Sequence, residues 1–215
     1  DNYNVAVGFQ AGAGVTTGLY NTLIGGLTGD ALTTGSRNSA VGTFALGADT
    51  LGSRNVALGY SALSTQDFTT ATDSYNTGVG YEAGGAVTTG TANTLIGGLS
   101  GDALTTGSNN VAIGLSALSA DDVGSRSVAV GSNALESQNT ATAANVYNTA
   151  VGYGVGAAIT TGVQNTLIGG LAGDALTDAD FNVAVGIAAL GADTLGSRST
   201  AIGASALESQ NFTTA

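Results

Sequence analysis

A glycine preceded by apolar residues recurs along this chain at a fixed spacing, and this periodicity limits the possible folds more than any other feature. Within a group of four units the glycines are 17 residues apart, and the step to the next group is 21 residues, which gives three groups with a period of 72 residues. Repeats of fixed period bury their apolar faces only against neighbouring repeats, so we predict a solenoid. The repeated glycines are Gly8, Gly25, Gly42, Gly59, Gly80, Gly97, Gly114, Gly131, Gly152, Gly169, Gly186 and Gly203.

The residues just before each glycine predict a strand. Numbered from that glycine, position −1 is Val, Ile or Leu in all twelve units, and position −2 is Ala, Leu or Gly. β-Branched residues favour strands, and successive strand residues point to opposite faces. Since both faces are apolar, one lines the interior and the other needs a partner, either another layer or another chain. We assign position −1, as at Ile96, to the interior, where Asp would collapse the rungs.

Turns complete each unit. A second apolar pair follows at positions +3 and +4, and many units then end in Thr-Thr-Gly or Thr-Leu-Gly, as at Gly18, Gly35 and Gly52. Glycine there suits a turn that needs a positive φ. One unit therefore forms two short strands and two turns. We predict an all-β fold, a parallel β-solenoid or β-roll of twelve 17-residue rungs.

Position −4 carries an Asn in most units. Stacked rungs lie about 4.8 Å apart, so the carbonyl of one Asn side chain can accept a hydrogen bond from the NH₂ of the next. Asn also tolerates the left-handed conformation of a tight corner. Position −5 is mostly Tyr, Phe or Arg, which suits ring stacking and Arg-over-ring contacts. We predict a structural ladder formed by Asn4, Asn21, Asn38, Asn55, Asn76, Asn93, Asn110, Asn148, Asn165 and Asn182.

The repeat also predicts the domain organisation. Residues 1–215 form a single solenoid segment with blocks 1–72, 73–144 and 145–215, which we expect to be part of a longer fibre. The four extra residues of every fourth rung fall within 66–74 and 138–146, with an equivalent stretch beginning at Gln210. We expect these inserts to protrude along one side of the rod.

Charge and composition argue against several functions. The net charge of −11, with four Arg and no Lys, disfavours binding to nucleic acid phosphates and to anionic membranes. No segment approaches the roughly 20 apolar residues needed for membrane insertion. The chain has no His and no Cys, and its acidic groups recur with the block period, so we predict neither catalysis nor a cofactor.

Two sets of aspartates could bind cations or pair with arginines. Carboxylates in Gly-rich solenoid turns can bind calcium, but a turn cap that accepts backbone N–H bonds is the simpler interpretation. Asp49 and Asp193 precede Arg54 and Arg198, where we expect surface ion pairs. The metal-ligand candidates lie in the motif Gly-Gly-Leu-x-Gly-Asp-Ala-Leu-Thr and are Asp30, Asp102 and Asp174.

The motif Asn-x-Ala-Val/Ile-Gly, present at 4–8 and 110–114 and with Leu at 55–59, resembles the head repeats of trimeric autotransporter adhesins. It is also similar to repeats of phage tail fibres and other surface fibres, and the resemblance covers essentially the whole chain. It implies a left-handed parallel β-roll, packed three to a bundle, that binds host matrix or other surfaces. A homotrimer would cover the second apolar face of the strand. The 17-residue rung is longer than the rung typical of the family.

These features predict a non-enzymatic extracellular structural fibre or filament segment, a rigid spacer with adhesive capacity. The expected partners are copies of itself, as a homotrimer or a filament, and a host or neighbouring cell surface. The expected location is extracellular or at the cell surface, or alternatively in a virion fibre. The alternative function is the receptor-binding head of a trimeric adhesin or phage tail fibre. Identical segments at 21–27, 93–99 and 165–171 favour spacing and assembly over unique recognition, since binding heads usually diversify one region.

Overall fold

The computed structural model describes residues 2–212 and shows a parallel β-solenoid, as predicted. One sheet of twelve parallel strands, one from each 17-residue or 21-residue unit, runs along the rod, and a second sheet contains only β4 and β6. The described residues contain no helix. The strands are β1 Val5–Val7, β2 Thr22–Ile24, β3 Ser39–Val41, β4 Gly52–Ser53, β5 Val56–Leu58, β6 Thr72–Asp73, β7 Thr77–Val79, β8 Thr94–Ile96, β9 Val111–Ile113, β10 Val128–Val130, β11 Thr149–Val151, β12 Thr166–Ile168, β13 Val183–Val185 and β14 Thr200–Ile202.

Every strand of the large sheet pairs in register with the equivalent residues of the next unit. Ala112 is the partner of Ala129, for example, and Ala129 is the partner of Ala150. Each unit is therefore one rung. At about 4.8 Å a rung, twelve rungs form a rod about 58 Å long.

The strand assignment of the sequence analysis was wrong about which face is interior. Position −2 is fully buried in the middle of the rod, as at Ala112, whereas position −1 is half-buried or exposed, as at Ile113 and Ile168. At position −2 the thin interior holds only Ala, Gly or Leu. The apolar side chains of position −1 therefore form the outer surface of the sheet.

Side-chain sizes inside the rod are matched between neighbouring positions. Leu23 at position −2 occupies the space above two glycines at position +4, because a Cβ on Gly12 or Gly29 would lie 2.8 or 2.9 Å from its methyl groups. Where position +4 is instead a buried Leu, as at Leu46, position −2 is Ala40. Leucines thus alternate between two walls of the same narrow core.

The corners of the coil use left-handed backbone at other positions than predicted. Arg37 at position −5 has φ of 61°, and Gly42 has φ of 134°, whereas Asn38 is not left-handed. Gly18, Gly35 and Gly52 do not have a positive φ either. Glycine is needed at Gly18 because a Cβ would lie 2.3 Å from the carbonyl oxygen of Gly35 in the next rung.

Candidate functional site

Three columns of side chains join the rungs along the rod. At position −4, the Asn21 backbone N–H donates to Asn4 Oδ1 at 2.8 Å, and the Asn21 side-chain Nδ2 donates to the carbonyl of Gly35 at 2.9 Å. The same pattern recurs along the ladder, so each Asn mainly bonds to backbone groups rather than to the next amide as predicted. Between two Asn side chains of the ladder, direct amide-to-amide bonds occur among residues 2–212 only from Asn55 to Asn38 and from Asn165 to Asn148.

Threonine and serine columns, which the sequence analysis did not identify, supplement the Asn ladder. The Thr33 hydroxyl at position +8 donates to the carbonyl of Thr50 at 2.9 Å in the next rung. At position +11 the N–H of Ser36 donates to Ser53 Oγ at 3.0 Å. The signal was present as Thr and Ser recurring at fixed positions of the unit.

A polar pair inside the core joins the third and fourth rungs of every block. The interior position +7 reads Val, Leu, Asp, Gln in the first two blocks and Ile, Leu, Asp, Gln in the third. Gln66 Nε2 donates to Asp49 Oδ2 at 2.6 Å, and Asn76 Nδ2 donates to Gln66 Oε1 at 2.8 Å. The Gly52 N–H donates to the other Asp49 oxygen at 2.8 Å. The same arrangement joins Asp121 to Gln138 and Asp193 to Gln210.

Burial affects the ionisation of these carboxyls. Asp49 and Asp121 are fully buried, and loss of hydration raises the pKa of both above its ordinary value of 3.8, although bonds from Gln66 and Gln138 act in the opposite direction. Asp193 is also fully buried. The expected surface ion pairs of Asp49 with Arg54 and of Asp193 with Arg198 are therefore wrong, because these carboxylates point into the core.

All four arginines lie in the exposed column at position −5 and each stacks on a ring. The Arg37 guanidinium lies 5.5 Å from the ring of Tyr20, which is itself stacked on Tyr3. The same contact joins Arg126 to Tyr147 at 5.7 Å. These contacts confirm the stacking predicted for this column. The remaining pairs are Arg54 with Tyr75 and Arg198 with Phe181.

The outer face of the large sheet is uncharged over all twelve rungs. It consists of positions −3 and −1, which carry only Val, Ile, Leu, Thr and Ser. One edge of this face is the Arg and aromatic column at position −5. The other edge begins at position +1, where large exposed side chains such as Tyr60, Tyr81 and Tyr153 recur. We name these two boundaries the arginine edge and the tyrosine edge.

Shallow concavities lie beyond the tyrosine edge and contain the predicted metal-ligand candidates. One of 310 Å³ is lined by Glu82 and Asp102, and a second of 440 Å³, one block further along, is lined by Glu136 and Asp174. Asp30 lines a third of 420 Å³. Burial raises the pKa of Asp102 and Asp174. No group of three or more His, Cys, Asp or Glu that could hold a metal ion occurs among residues 2–212.

The carboxylates of Asp102 and Asp174 form few hydrogen bonds within the turn. Asp102 accepts a hydrogen bond from its own backbone N–H, as Asp174 does, and the Oδ1 atom of Asp102 has no hydrogen-bond partner within the described chain. The structure thus places one such aspartate per block on one side of the rod, about 19 Å apart at about 4.8 Å a rung, and does not bring them together.

Comparison with known proteins adds no identification. No protein-family description, no curated protein and no solved structure matches this chain. Residues 2–212 contain no helix with the length and hydropathy required to span a membrane.

Proposed function

We propose that this chain is a structural fibre segment, a stiff, non-catalytic rod that spaces or connects other parts of an extracellular or surface assembly. The observation that carries this proposal is the single twelve-stranded parallel sheet, in which every rung pairs in register with the next. Side-chain ladders of Asn, Thr and Ser reinforce the backbone bonds on the other sides of the coil. Such a rod resists bending because bending would stretch the hydrogen bonds of the columns on its convex side and compress the columns on the opposite side.

The composition supports a structural role over a chemical one. The chain has no His, Cys or Lys, and its fully buried acidic residues, Asp49, Asp121 and Asp193, recur once per block. A catalytic centre needs a polarised nucleophile or an acid and base held together at one place. The resemblance to surface fibres supports an extracellular setting or a place in a virion fibre.

Self-association is part of this proposal. The uncharged outer face measures about 58 Å by about 10 Å, on the order of 600 Å² a side, if the three strand residues of each rung are counted at about 3.3 Å a residue. A standard protein interface buries about 800 Å² per partner. Within this face the Val, Ile and Leu side chains of position −1 form a continuous, partly exposed apolar row. Such a row marks an interaction site, and copies of the same chain offer a complementary one.

A receptor-binding head is the second candidate, because position +1 differs from rung to rung and is exposed. It is Phe9, Tyr60, Leu115 or Ile187 in different rungs, each about half or more exposed. Variation at an exposed position suits recognition of a surface. Fragment-coated beads that bound no cell type would leave only the structural role.

Small-angle scattering on chains of one, two and three additional blocks tests the proposed rod. Each 72-residue block adds four rungs, so the maximum dimension should grow by about 19 Å per block while the cross-section stays constant. Growth that scales as a flexible chain, with about the square root of length, would contradict a stiff spacer.

A further inference from the structure

The arginine edge lacks carboxylate partners within the chain. Arg54 forms the only salt bridge found among residues 2–212, with Asp73 at 2.9 Å. Arg37, Arg126 and Arg198 contact rings but no carboxylate in that part of the chain. These three guanidinium groups have no carboxylate partner within residues 2–212, and on a chain of net charge −11 they are available to bind acidic groups elsewhere.

Acidic side chains lie beyond the opposite edge and share rungs with two of these arginines, whereas the rung of Arg37 has Gly47 at the equivalent position. Glu136 is in the same rung as Arg126, and Glu208 is in the same rung as Arg198, because in each case the Arg is at position −5 and the Glu at position +5 of one unit. The uncharged strand face separates them, so they do not pair within one chain. The rod therefore has a basic edge and an acidic edge on either side of an apolar face.

We propose that copies of this chain associate through the outer sheet face with their chains parallel and in register, so that the arginine edge of one copy meets the acidic side of the next. This inference rests on the self-association included in the proposed function, and adds the orientation and the residues that select it. Its occupant is a second copy of this chain.

Symmetry decides between the two possible orientations. If two rods meet face to face with parallel chains, the two-fold axis runs along the rods, and the arginine edge of one lies opposite the tyrosine edge of the other. Arg126 is then level with Glu136 of the other copy, and Arg198 with Glu208. The apolar face is buried while complementary charges meet at both of its edges.

Antiparallel packing through the same face has the opposite result. The two-fold axis then crosses the face, so arginine edge lies on arginine edge and acidic side on acidic side. Position −5 contains no carboxylate in any rung, so the arginines would find no partner. The antiparallel arrangement therefore lacks both Arg–Glu contacts of the parallel one, and this difference favours parallel packing.

Charge reversal at the two edges tests the orientation. We expect the pair Arg126→Glu and Arg198→Glu to weaken self-association at least tenfold by sedimentation equilibrium at low salt, and the pair Glu136→Arg and Glu208→Arg to do the same. An equimolar mixture of the two variants should associate again, because both edges are then complementary. The matched control is Asp67→Arg with Asp178→Arg, which makes the same charge change at exposed positions elsewhere on the rod and should associate like the parent.

Distance measurements provide an independent test that does not depend on charge. The chain has no Cys, so one spin label can be attached at Thr34→Cys near one end or at Thr106→Cys near the middle, both exposed. Parallel packing predicts the same inter-chain distance at both positions. Antiparallel packing centred on the rod predicts an axial offset of about 40 Å at position 34 only, at about 4.8 Å a rung.

The outcomes separate this inference from the proposed function. Self-association that is unaffected by charge reversal would overturn the parallel orientation but not self-association itself. Inter-chain distances that differ between positions 34 and 106 would have the same consequence. A parent chain that stays monomeric at all concentrations would overturn self-association itself. Circular dichroism of each variant shows whether a lost association reflects the edges or a lost fold.

Discussion

The inserts of the first two blocks have the same length and the same place in the coil, yet different anchors. In the insert at 66–74, Phe68 is 5% exposed and Asp73 pairs with Arg54. In the insert at 138–146, Thr140 replaces Phe68 and Asn145 replaces Asp73. The first insert pairs through the two-residue strands β4 and β6, and the second through a single bridge between Ser125 and Asn145.

The two inserts share a buried Gln–Asp pair inside the rod. Gln66 and Gln138 are both fully buried and both donate to the Asp of the rung before, and the tips 69–71 and 141–143 are exposed in both, as predicted. The third insert begins with Gln210 and continues beyond the described residues. The buried pair therefore defines where an insert occurs, while Phe68 and the Asp73 ion pair only attach it.

The largest effect should come from breaking the shared pair. Gln138→Ala leaves the buried Asp121 carboxylate without its amide donor, so we expect a loss of about 2–3 kcal/mol in the free energy of unfolding, measured with urea. Gln66→Ala should cost a similar amount despite the different anchors. Replacing both partners, as in Asp121→Leu with Gln138→Leu, should restore most of the loss, because apolar residues then continue the column. A small effect of Gln138→Ala alone would contradict the role of the pair.

Exchanging the residues that anchor the inserts should change one insert into the other. Phe68→Thr removes most of a buried ring, so we expect a loss of about 2 kcal/mol and faster proteolysis at 69–71. Thr140→Phe should protect 141–143, since it adds apolar contact and removes a buried hydroxyl that has no hydrogen-bond partner. Limited proteolysis with mass spectrometry compares the two sites within one molecule. Equal cleavage before and after both exchanges would show that these residues do not anchor the inserts.

The buried aspartates predict a smaller, pH-dependent effect common to both blocks. Because burial raises the pKa of Asp49 and Asp121 in the folded state, each contributes stability that is complete below its unfolded value of 3.8 and is lost as pH rises through the folded pKa. The neighbouring carboxylates Asp67 and Asp122 act in the same direction. We expect the urea midpoint to fall as the pH rises above 3.8, because the folded state then binds more protons than the unfolded state. This fall of the urea midpoint should be smaller in the Asp49→Asn and Asp121→Asn variants than in the parent. A midpoint that rises with pH equally in the parent and in both variants would contradict this prediction.

The smallest effect should come from the exposed ion pair. Arg54 Nε and Asp73 Oδ1 are 2.9 Å apart, and the pair raises the pKa of Arg54, but both side chains are in contact with water. Asp73→Asn should therefore leave the urea midpoint nearly unchanged and increase amide exchange only at β4 and β6. The matched change Asn145→Asp should slow exchange at Ser125, and molar salt should abolish both differences.

The rung and its strand could be predicted because the same local signals recur in every unit. The inner face could not be chosen from apolarity alone, since Ala112 and Ile113 are both apolar. The signal that decides it is size, because Leu23 at position −2 requires Gly12 and Gly29 beside it, whereas position −1 has a large residue in every rung.

The polar core was harder to predict because its contacts join residues that are one rung apart, not residues that are close in sequence. Asp49 was paired with Arg54 because the two are close in sequence, but the coil places Asp49 next to Gln66, 17 residues away. Reading position +7 down the rungs would have shown Asp and Gln continuing an apolar column. Ring stacking at position −5 was predictable, because there the contacts follow directly from stacking equal positions.

The most direct test of this account compares two adjacent substitutions in β9, measured by thermal unfolding at a concentration where the chains are separate. Ala112→Asp places a charge in the closed core, so we predict that it abolishes the cooperative transition. Ile113→Asp places the same charge on the outer face, so the melting temperature should stay within a few degrees of the parent, on the order of the shift from 1 kcal/mol. The reverse order, with Ile113→Asp unfolding the rod and Ala112→Asp tolerated, would contradict the assignment of the inner and outer faces.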